Sequence, residues 1–381
     1  MTAFTVQRED DFDFASPEYA ELYGRAQATA FQHPVWLTDL YSVLAPRRGA
    51  DKLVVTVRRD ASGTVPGSRE DGGLVLVLPL VRRRSGPLRV LEYADLGVND
   101  YAAAVLDPKA ADALLADGRV PAQIRAALGR FDLLRIERVP DSPDVLRSLI
   151  AGATVARHAY DTHLIDLPET VDAWHEGLDP KYVRHLERKY KRLRPKGTRQ
   201  LRSVTEPGEI DALLQRMQGF RAARFADRRG TDLVQDPDCF AFYSAVAHHS
   251  VLRGPARLDV LEVGGEPAAV ALNLVEPGRE LFVLVGYDVE KLRNYSLGLL
   301  IVDELVKSAI ARGAAHFDLT VGDEDYKSDF GARPRPLFEV LVQATLRGRA
   351  GVVSRAAYLR ARRVAKATVV AWEQRKARRT G

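Results

Sequence analysis

One order of elements occurs twice along the chain, and that repeat limits the folds open to it. In the first copy Gln32-His33-Pro34 opens a helical run to about Leu44, strand-like KLVVTVRR follows at 52–59, and GLVLVLPLV at 73–81 reads as a second strand. In the second copy Gln235-Asp236-Pro237 opens a helical run to about Leu252, then RLDVLEV (257–263) and PAAVALNLV (267–275) read as strands. Further on, IRAALGRFDLLRIERV (124–139) answers VKSAIARGAAHFDLTVG (306–322): a helix, a Gly break, then Phe-Asp-Leu entering a strand. This shared order predicts a duplication with its boundary at 150–168.

At 381 residues the chain is long for one domain and comfortable for two. The second half predicts a strand at 199–204, helices at 208–225 and 238–251, and a meander at 257–263, 267–275 and 280–287. A helix at 297–312, a strand at 316–321, a helical turn near 324–329 and a last strand at 337–346 complete it. Gly264-Gly265 and Pro277-Gly278 fall between β-rich runs and mark hairpins. Strands joined by tight turns, then a helix leading into another strand, give a mixed sheet and an α+β (mixed α/β) class. Residues 60–72, DASGTVPGSREDG, read as a mobile loop with no chemistry of its own.

Apolar residues make up 46% of the chain and charged residues 28%, which suits a globular protein with a real core. The single cysteine, Cys239, excludes an internal disulfide framework and a Cys-based metal cluster, and it suits a reducing compartment. The start, MTAFTVQREDDFDF, is acidic and lacks an apolar h-region, so no secretory signal is expected. The longest apolar run, 73–81, is interrupted by Pro79 and is too short to span a bilayer. A cytoplasmic protein is expected. Its net charge of +5 is unevenly spread. Residues 350–381 hold nine Lys/Arg against Glu373, and residues 181–196 hold eight against Glu187; elsewhere acids exceed bases by ten. The balance reports two local features and no DNA-binding body.

The segment LFVLVGYDVEKLRNYSLGLLIVDELVKSAIARG (281–313) carries the chemistry. A buried strand ends at Gly286-Tyr287-Asp288, a short loop follows, and a helix begins near Leu297. Ser296 is placed to cap it, and Asp303-Glu304 lie within its first two turns. Gly298 sits in the first turn, where a missing Cβ lets a bulky group approach the backbone. Free N–H groups and the positive end of the helix dipole make such a terminus an anion site. The dipole alone offers roughly 0.3–1 kcal/mol. Several N–H bonds and a cation, here Arg293, must share the work.

Arg293-Asn294-Tyr295-Ser296-Leu297-Gly298 resembles the GNAT pyrophosphate loop, (Gln/Arg)-x-x-Gly-x-(Gly/Ala), with Ser296 in place of the first Gly. The resemblance implies that this loop cradles the pyrophosphate of an acyl-CoA, expected to be acetyl-CoA, while the preceding strand splays from its neighbour to admit the pantetheine. Tyr287, Arg293, Asn294, Ser296, Leu297 and Gly298 would hold that donor. Gly286-Tyr287-Asp288, Ser296-Leu297-Gly298-Leu299-Leu300, His316-Phe317-Asp318-Leu319, Gly322-Asp323-Glu324-Asp325-Tyr326-Lys327 and Phe330-Gly331 follow the order of Fem-like, CelD-type acetyltransferase domains. That branch is similar to the peptidoglycan aminoacyltransferases, which are also two GNAT-like domains in tandem, and its domains recur in bacterial polysaccharide and cell-envelope gene sets. The likeness covers about 30–345 and is densest from 280 to 331. It implies two tandem GNAT-like domains, each a twisted mixed sheet flanked by helices. The expected division is a degenerate N-terminal domain on the acceptor side (1–165), a C-terminal acyltransferase domain (166–349) and a basic helical tail (350–381).

Under the resemblance Lys327 matches the Tyr/Phe-Lys lysine of the Fem-like branch and is implied to face phosphate or the reacting carbonyl. The alternative is a surface lysine paired with Asp323 or Asp325. Asp323 and Glu324 are candidates for the general base that transfer to an amine or hydroxyl requires, or else they cap the 324–329 turn. Asp288, leaving its strand with Tyr287 at the splay point, joins the catalytic candidates or else simply ends the strand, and Tyr326 is expected beside the substrate. Asp318 leads a buried strand and reads as structural. In the first half, Glu92-Tyr93-Ala94-Asp95 and Asn99-Asp100-Tyr101 stand where the duplication assigns the donor loop. No Gly occupies the helix start there and Pro108 follows shortly. Asp95, Asn99, Asp100 and Tyr101 are therefore expected to bind the acceptor, with solvated loop acids as the alternative.

Asp179-Pro180 starts the helix KYVRHLERKYKRLR, whose Tyr182, Leu186, Tyr190 and Leu193 form an apolar stripe while Arg184, Arg188 and Lys191 share another face. That face, through Arg184 and Arg188, suits a phosphorylated acceptor (a nucleotide-linked or lipid-linked sugar) or an RNA donor, unless it is simply solvated. The tail VSRAAYLRARRVAKATVVAWEQRKARR reads as a basic amphipathic helix. Each basic residue near an anionic leaflet is worth on the order of 1 kcal/mol. Peripheral contact with the inner face of the membrane and plain packing on the domain both fit it.

No metal site is expected: the His residues are scattered, His248-His249 being the only pair, with no Cys or acid at ligand spacing. Neither a Gly-x-Ser-x-Gly elbow nor a P-loop occurs. The expected activity is direct transfer of an acyl group, acetyl first, from acyl-CoA to an amine or hydroxyl of a cell-envelope or polysaccharide precursor. Binding both substrates in line supplies effective molarities on the order of 10⁵ M or more. The alternatives are a Fem-like transferase fed by aminoacyl-tRNA and a non-catalytic phosphate- or membrane-binding module.

Overall fold

A computed structural model describes residues 4–60, 73–226, 232–250 and 254–355. The first-half strands are β1 (Phe4–Arg8), β2 (Asp51–Arg59), β3 (Leu74–Ser85), β4 (Leu88–Tyr93), β5 (Val105–Leu106), β6 (Leu133–Pro140), β7 (Thr154–Arg157) and β8 (Thr162–Asp166). The second half adds β9 (Arg199–Ser203), β10 (Ala256–Val263), β11 (Glu266–Glu276), β12 (Arg279–Tyr287), β13 (His316–Val321), β14 (Arg333–Arg335) and β15 (Leu337–Gln343). One sheet runs β1-β2-β3-β4-β6-β15-β7, with β5 against β3; the other runs β9-β10-β11-β12-β13-β8-β14. The two orders agree place by place. In each, the central pair is parallel, β4 with β6 and β12 with β13, and its neighbours are antiparallel. Two mixed sheets with the same plan are what a duplicated α+β unit requires.

The sixth place of each sheet is filled from the other half. β15 follows β14 after the single residue Pro336, yet it pairs with β6 and β7. β8 follows β7 after residues 158–161, yet it pairs with β13 and β14. The strand expected at 337–346 as the last of the second half is instead a strand of the first sheet. Alternation of apolar and polar residues marks a strand and is silent about its partner. Here the partner is β6, whose Ile136 and Leu134 stand opposite Val340 and Val342. All four are buried in one cluster.

Helices at Pro108–Ala116, Val120–Ala127 and Asp144–Leu149 cover one face of the first sheet. Helices at Val171–Glu176, Pro180–Leu193 and Leu297–Ala311 cover one face of the second. The remaining faces share a core with the helical run 34–47 and with the helices Ile210–Phe225 and Pro237–Ser250. Trp36 of the first half meets Phe242 and Tyr243 of the second edge-on, with ring centroids 4.9 and 6.2 Å apart. Gly286 has a packing reason: an added Cβ would stand 2.5 Å from the Met217 carbonyl oxygen, so its absence lets the Ile210–Phe225 helix lie on β12. The expected hairpin at Gly264-Gly265 forms with φ of +65° and +82°, as a two-residue turn of that hand needs.

Residues 61–72 of the expected loop and 356–381 of the expected tail lie outside the described residues, while 346–355 are helical. Among the described residues no helix is long and apolar enough to cross a membrane.

Candidate functional site

β12 and β13 pair over three residues only, Arg279 with His316, Glu280 with Phe317 and Leu281 with Asp318. Beyond that the strands part, and the cause lies in β13. Thr320 stands at φ +58°, a left-handed conformation that costs a side-chain-bearing residue roughly 1–2 kcal/mol. Two contacts hold it there. Asp318 Oδ1 accepts the Thr320 N–H at 2.8 Å, and Lys327 Nζ donates to the carbonyls of Thr320 and Gly322, each at 3.1 Å. The Thr320 hydroxyl donates to the Phe282 carbonyl at 3.1 Å. The pairing of β13 with β8 slips at the same point, between Asp318 and Val321.

At the far end of β12, Asp288 Oδ1 accepts the amides of Glu290 and Lys291 at 3.0 and 2.8 Å and turns the chain toward the Leu297–Ala311 helix. Ser296 does not cap that helix with its side chain. Its hydroxyl makes no capping bond, and its backbone is left-handed at φ +56°, ψ +43°. This is the conformation a Gly would adopt freely, and here a Ser adopts it. The Ser296 carbonyl accepts the amides of Leu299 and Leu300 at 2.9 and 3.2 Å. The N–H groups of Leu297 and Gly298 are left without an acceptor among the described residues.

Ser296, Leu297 and Gly298 line a cleft of about 710 Å³ together with Tyr287, Arg293 and, from the Ile210–Phe225 helix, Arg224. The Tyr287 ring lies against Gly298, and the Arg224 guanidinium stands 4.8 Å from the centre of that ring. Asn294 is exposed beside the lining. Tyr326 also faces the cleft, with its phenol pushed above its ordinary range by burial.

Lys327 is 2% exposed. Its ammonium serves the two carbonyls of the β13 exit and Glu324 Oε2 at 3.1 Å, which occupies its three donors. Asp323 is exposed on the same loop.

The first-half loop reaches this place from across the interface. Asp95 pairs with Arg138 at 3.0 Å. Asn99 is buried and accepts from Trp36 Nε1 at 2.8 Å. Tyr101 is buried with its hydroxyl on Asp318. Asp100, between them, is half-buried against Thr320, with Arg138, Asp318 and Lys327 as its charged neighbours. Removal from water lifts its pKa to about 6; Arg138 opposes the rise and Asp318 adds to it. The loop expected to meet an acceptor in the first half thus touches the parted strands of the second. The helix start that matches the donor position, at Pro108, holds no room for an anion. Asp107 already accepts the Lys109 N–H at 2.9 Å and pairs with Arg25 at 2.9 Å, and a proline follows.

Arg184 and Arg188 lie exposed on the Pro180–Leu193 helix, outside the cleft lining. The end of that basic run adjoins the 293–298 loop: Arg192 and Lys196 stand 5.6 and 5.8 Å from the Tyr295 ring centre. Arg224, Thr320 and Arg138 carry no signal in the sequence that marks them for this place. An arginine on a helix looks like any solvated cation, and a β-branched residue in a strand gives no sign of a left-handed backbone.

The parallel pair parts beside a helix start whose first amides are unpartnered, and it does so within a stretch that matches the N-acyltransferase class. Residues 180–328 match the acetyltransferase (GNAT) domain family, so the chain carries a GNAT-type acetyltransferase domain, preceded by a second GNAT-like unit of the same strand order. The whole chain is similar to the structure of FemX: 11% identity, 88% of this chain and 96% of that one covered, TM-score 0.59. A C-terminal domain provisionally assigned to a lysylphosphatidylglycerol synthetase from Agrobacterium fabrum is similar at 15% identity, over 87% of this chain and 95% of that one, with TM-score 0.52. L-PGS from Bacillus licheniformis is similar at 12% identity, over 89% and 96%, with TM-score 0.51. At such identities the likeness is one of fold. No curated protein matches the chain.

Proposed function

We propose that the protein transfers an acyl group, acetyl first, from acyl-CoA to an amine or hydroxyl of a cell-envelope or polysaccharide precursor. The observation that carries this reading is the parting of β12 from β13 beside the unpartnered amides of Leu297 and Gly298. Those two donors, Arg293 and the helix dipole are suited to phosphate oxygens, and the 710 Å³ cleft is of a size for a ligand arm. The envelope acceptor rests on the likeness of the 280–331 motifs to Fem-like, CelD-type domains.

In this reading the acceptor nitrogen or oxygen attacks the thioester carbonyl, the new C–N or C–O bond forms, and the C–S bond breaks. The proton lost by the acceptor passes to Asp100, and the departing thiolate takes up a proton from solvent. Asp100 suits that task better than the other acids. A carboxyl with pKa about 6 is ionised at neutral pH and still basic enough to accept a proton. Asp288 is committed to turn amides, Glu324 pairs with Lys327, and Asp323 stands in solvent. Lys327 acts by holding the β13 exit in shape.

A second reading takes the acyl group from aminoacyl-tRNA. It is favoured by the exposed cations of the Pro180–Leu193 helix, whose run ends at the donor loop. Titration calorimetry separates the two readings. Saturable acetyl-CoA binding supports the first; binding of tRNA with no response to any acyl-CoA replaces it with the second.

A further inference from the structure

Tyr101 belongs to the first half, and its phenol ends in the second. Its hydroxyl stands 2.9 Å from Asp318 Oδ1 and 2.7 Å from Oδ2, and it also meets the Thr162 hydroxyl of β8. Asp318 Oδ1 accepts from Thr320 N–H at 2.8 Å and faces the Thr162 hydroxyl at 3.3 Å. Arg279 of β12 lies 3.9 Å from Asp318 Oδ2 and 5.5 Å from the centre of the Tyr101 ring. Glu276 anchors Arg279 at 2.7 Å and accepts the Ala30 N–H of the first half at 2.7 Å. The carboxylate that keeps Thr320 left-handed is therefore itself held from the first half, the exchanged strand and β12.

We propose that Tyr101 is a positioning residue for acyl transfer: by fixing the Asp318 carboxylate it keeps Thr320 in the turn that parts β12 from β13. A buried carboxylate must keep its donors. Without the phenol, Asp318 turns toward Thr162 and Arg279, its Oδ1 leaves the Thr320 amide, and the strained turn relaxes toward extended backbone. Because Asp100 precedes Tyr101 and rests on Thr320, the same movement shifts the proton acceptor relative to the donor cleft. The role in acyl transfer rests on the acyl-CoA reading; the coupling of Tyr101 to the Thr320 backbone does not.

The test uses the full chain as wild type, Tyr101→Phe, Thr320→Gly and the double variant. Phe keeps the ring packing and removes the hydroxyl. Amide hydrogen exchange at Thr320 is expected to quicken at least tenfold in Tyr101→Phe, and acetyl-CoA to bind about tenfold more weakly. Glycine adopts the left-handed turn without a clamp, so in the Thr320→Gly background the Tyr101→Phe change should alter acetyl-CoA affinity less than twofold. Unchanged Thr320 exchange in Tyr101→Phe overturns the proposal, as does an equal loss of affinity in both backgrounds. A wild-type chain that fails to bind acetyl-CoA sinks the acyl-CoA reading, while the exchange rate still decides whether Tyr101 governs the turn.

Discussion

The ring of Tyr287 occupies the space that a side chain at position 298 would need. A Cβ built on Gly298 stands 2.8 Å from Tyr287 Cε1 and 3.1 Å from its hydroxyl. The ring and the bare helix start form one wall of the cleft proposed to take the donor, and a bulky residue at 298 must displace the ring into it. Acetyl-CoA should therefore raise the melting temperature of the wild type saturably; at 100 times Kd the stabilisation is about 2.7 kcal/mol. Gly298→Trp should abolish that shift. A Trp variant that still responds like the wild type would remove the Leu297 helix start from the donor site.

Asp100, the proposed proton acceptor, should make both stability and turnover depend on pH. Its carboxyl is held at about 6 in the fold against an ordinary 3.8, so the folded chain binds more protons than the unfolded one between these values. Stability should fall as pH rises from about 4 to about 6 and stay lower above. Asp100→Asn imitates the protonated form. It should gain about 1–2 kcal/mol at pH 7.5, a figure reduced for the carboxyl's partial exposure, and nothing below pH 4. Turnover of the wild type should rise through about pH 6, and the Asn variant should lose about 10²-fold or more. Urea unfolding at the two pH values and a pH–rate profile check this; an Asn variant less stable than wild type at pH 7.5 would contradict it.

Much of the fold was legible because it is written in short-range pattern. The strand at 257–263 is found at Ala256–Val263, and the helix at 297–312 at Leu297–Ala311. The repeat was visible because Phe131-Asp132-Leu133 and Phe317-Asp318-Leu319 each enter a central parallel strand. What stayed hidden is long-range or conformational. β15 has the alternation of any strand, and its place in the first sheet depends on β6, about 200 residues away. Ser296 has the chemistry of an N-cap, but the loop needs its backbone in the left-handed region, which removes its hydroxyl from the capping position. Tyr101 and Asp318 lie 217 residues apart, and no local pattern joins them.

The strand exchange should bind the halves into one cooperative unit. Leu337 starts β15 and is fully buried in the core that spans both halves. Leu337→Ala should cost about 2–5 kcal/mol, and it should lower a single unfolding transition seen equally by probes in either half. Calorimetry of the full chain decides the matter. Two separate transitions, with only the second shifted by Leu337→Ala, would show that β15 does not tie the sheets together.

Arg184 and Arg188 are one helical turn apart, about 6 Å along the axis, and both face solvent on the helix that ends beside the 293–298 loop. Neither lines the cleft, so reversing both to Glu should leave the affinity for acetyl-CoA within about twofold of wild type. An RNA carrier laid along this face would respond differently. Every cation taken away from an RNA phosphate should reduce the dependence of log affinity on log salt by about 0.7–0.9, so the double reversal should lower the slope for tRNA by about 1.4–1.8. Filter binding at several salt concentrations reads that slope. A slope unchanged by the reversal would take the helix out of carrier recognition, and a tenfold loss of acetyl-CoA affinity would instead make its cations part of the donor site.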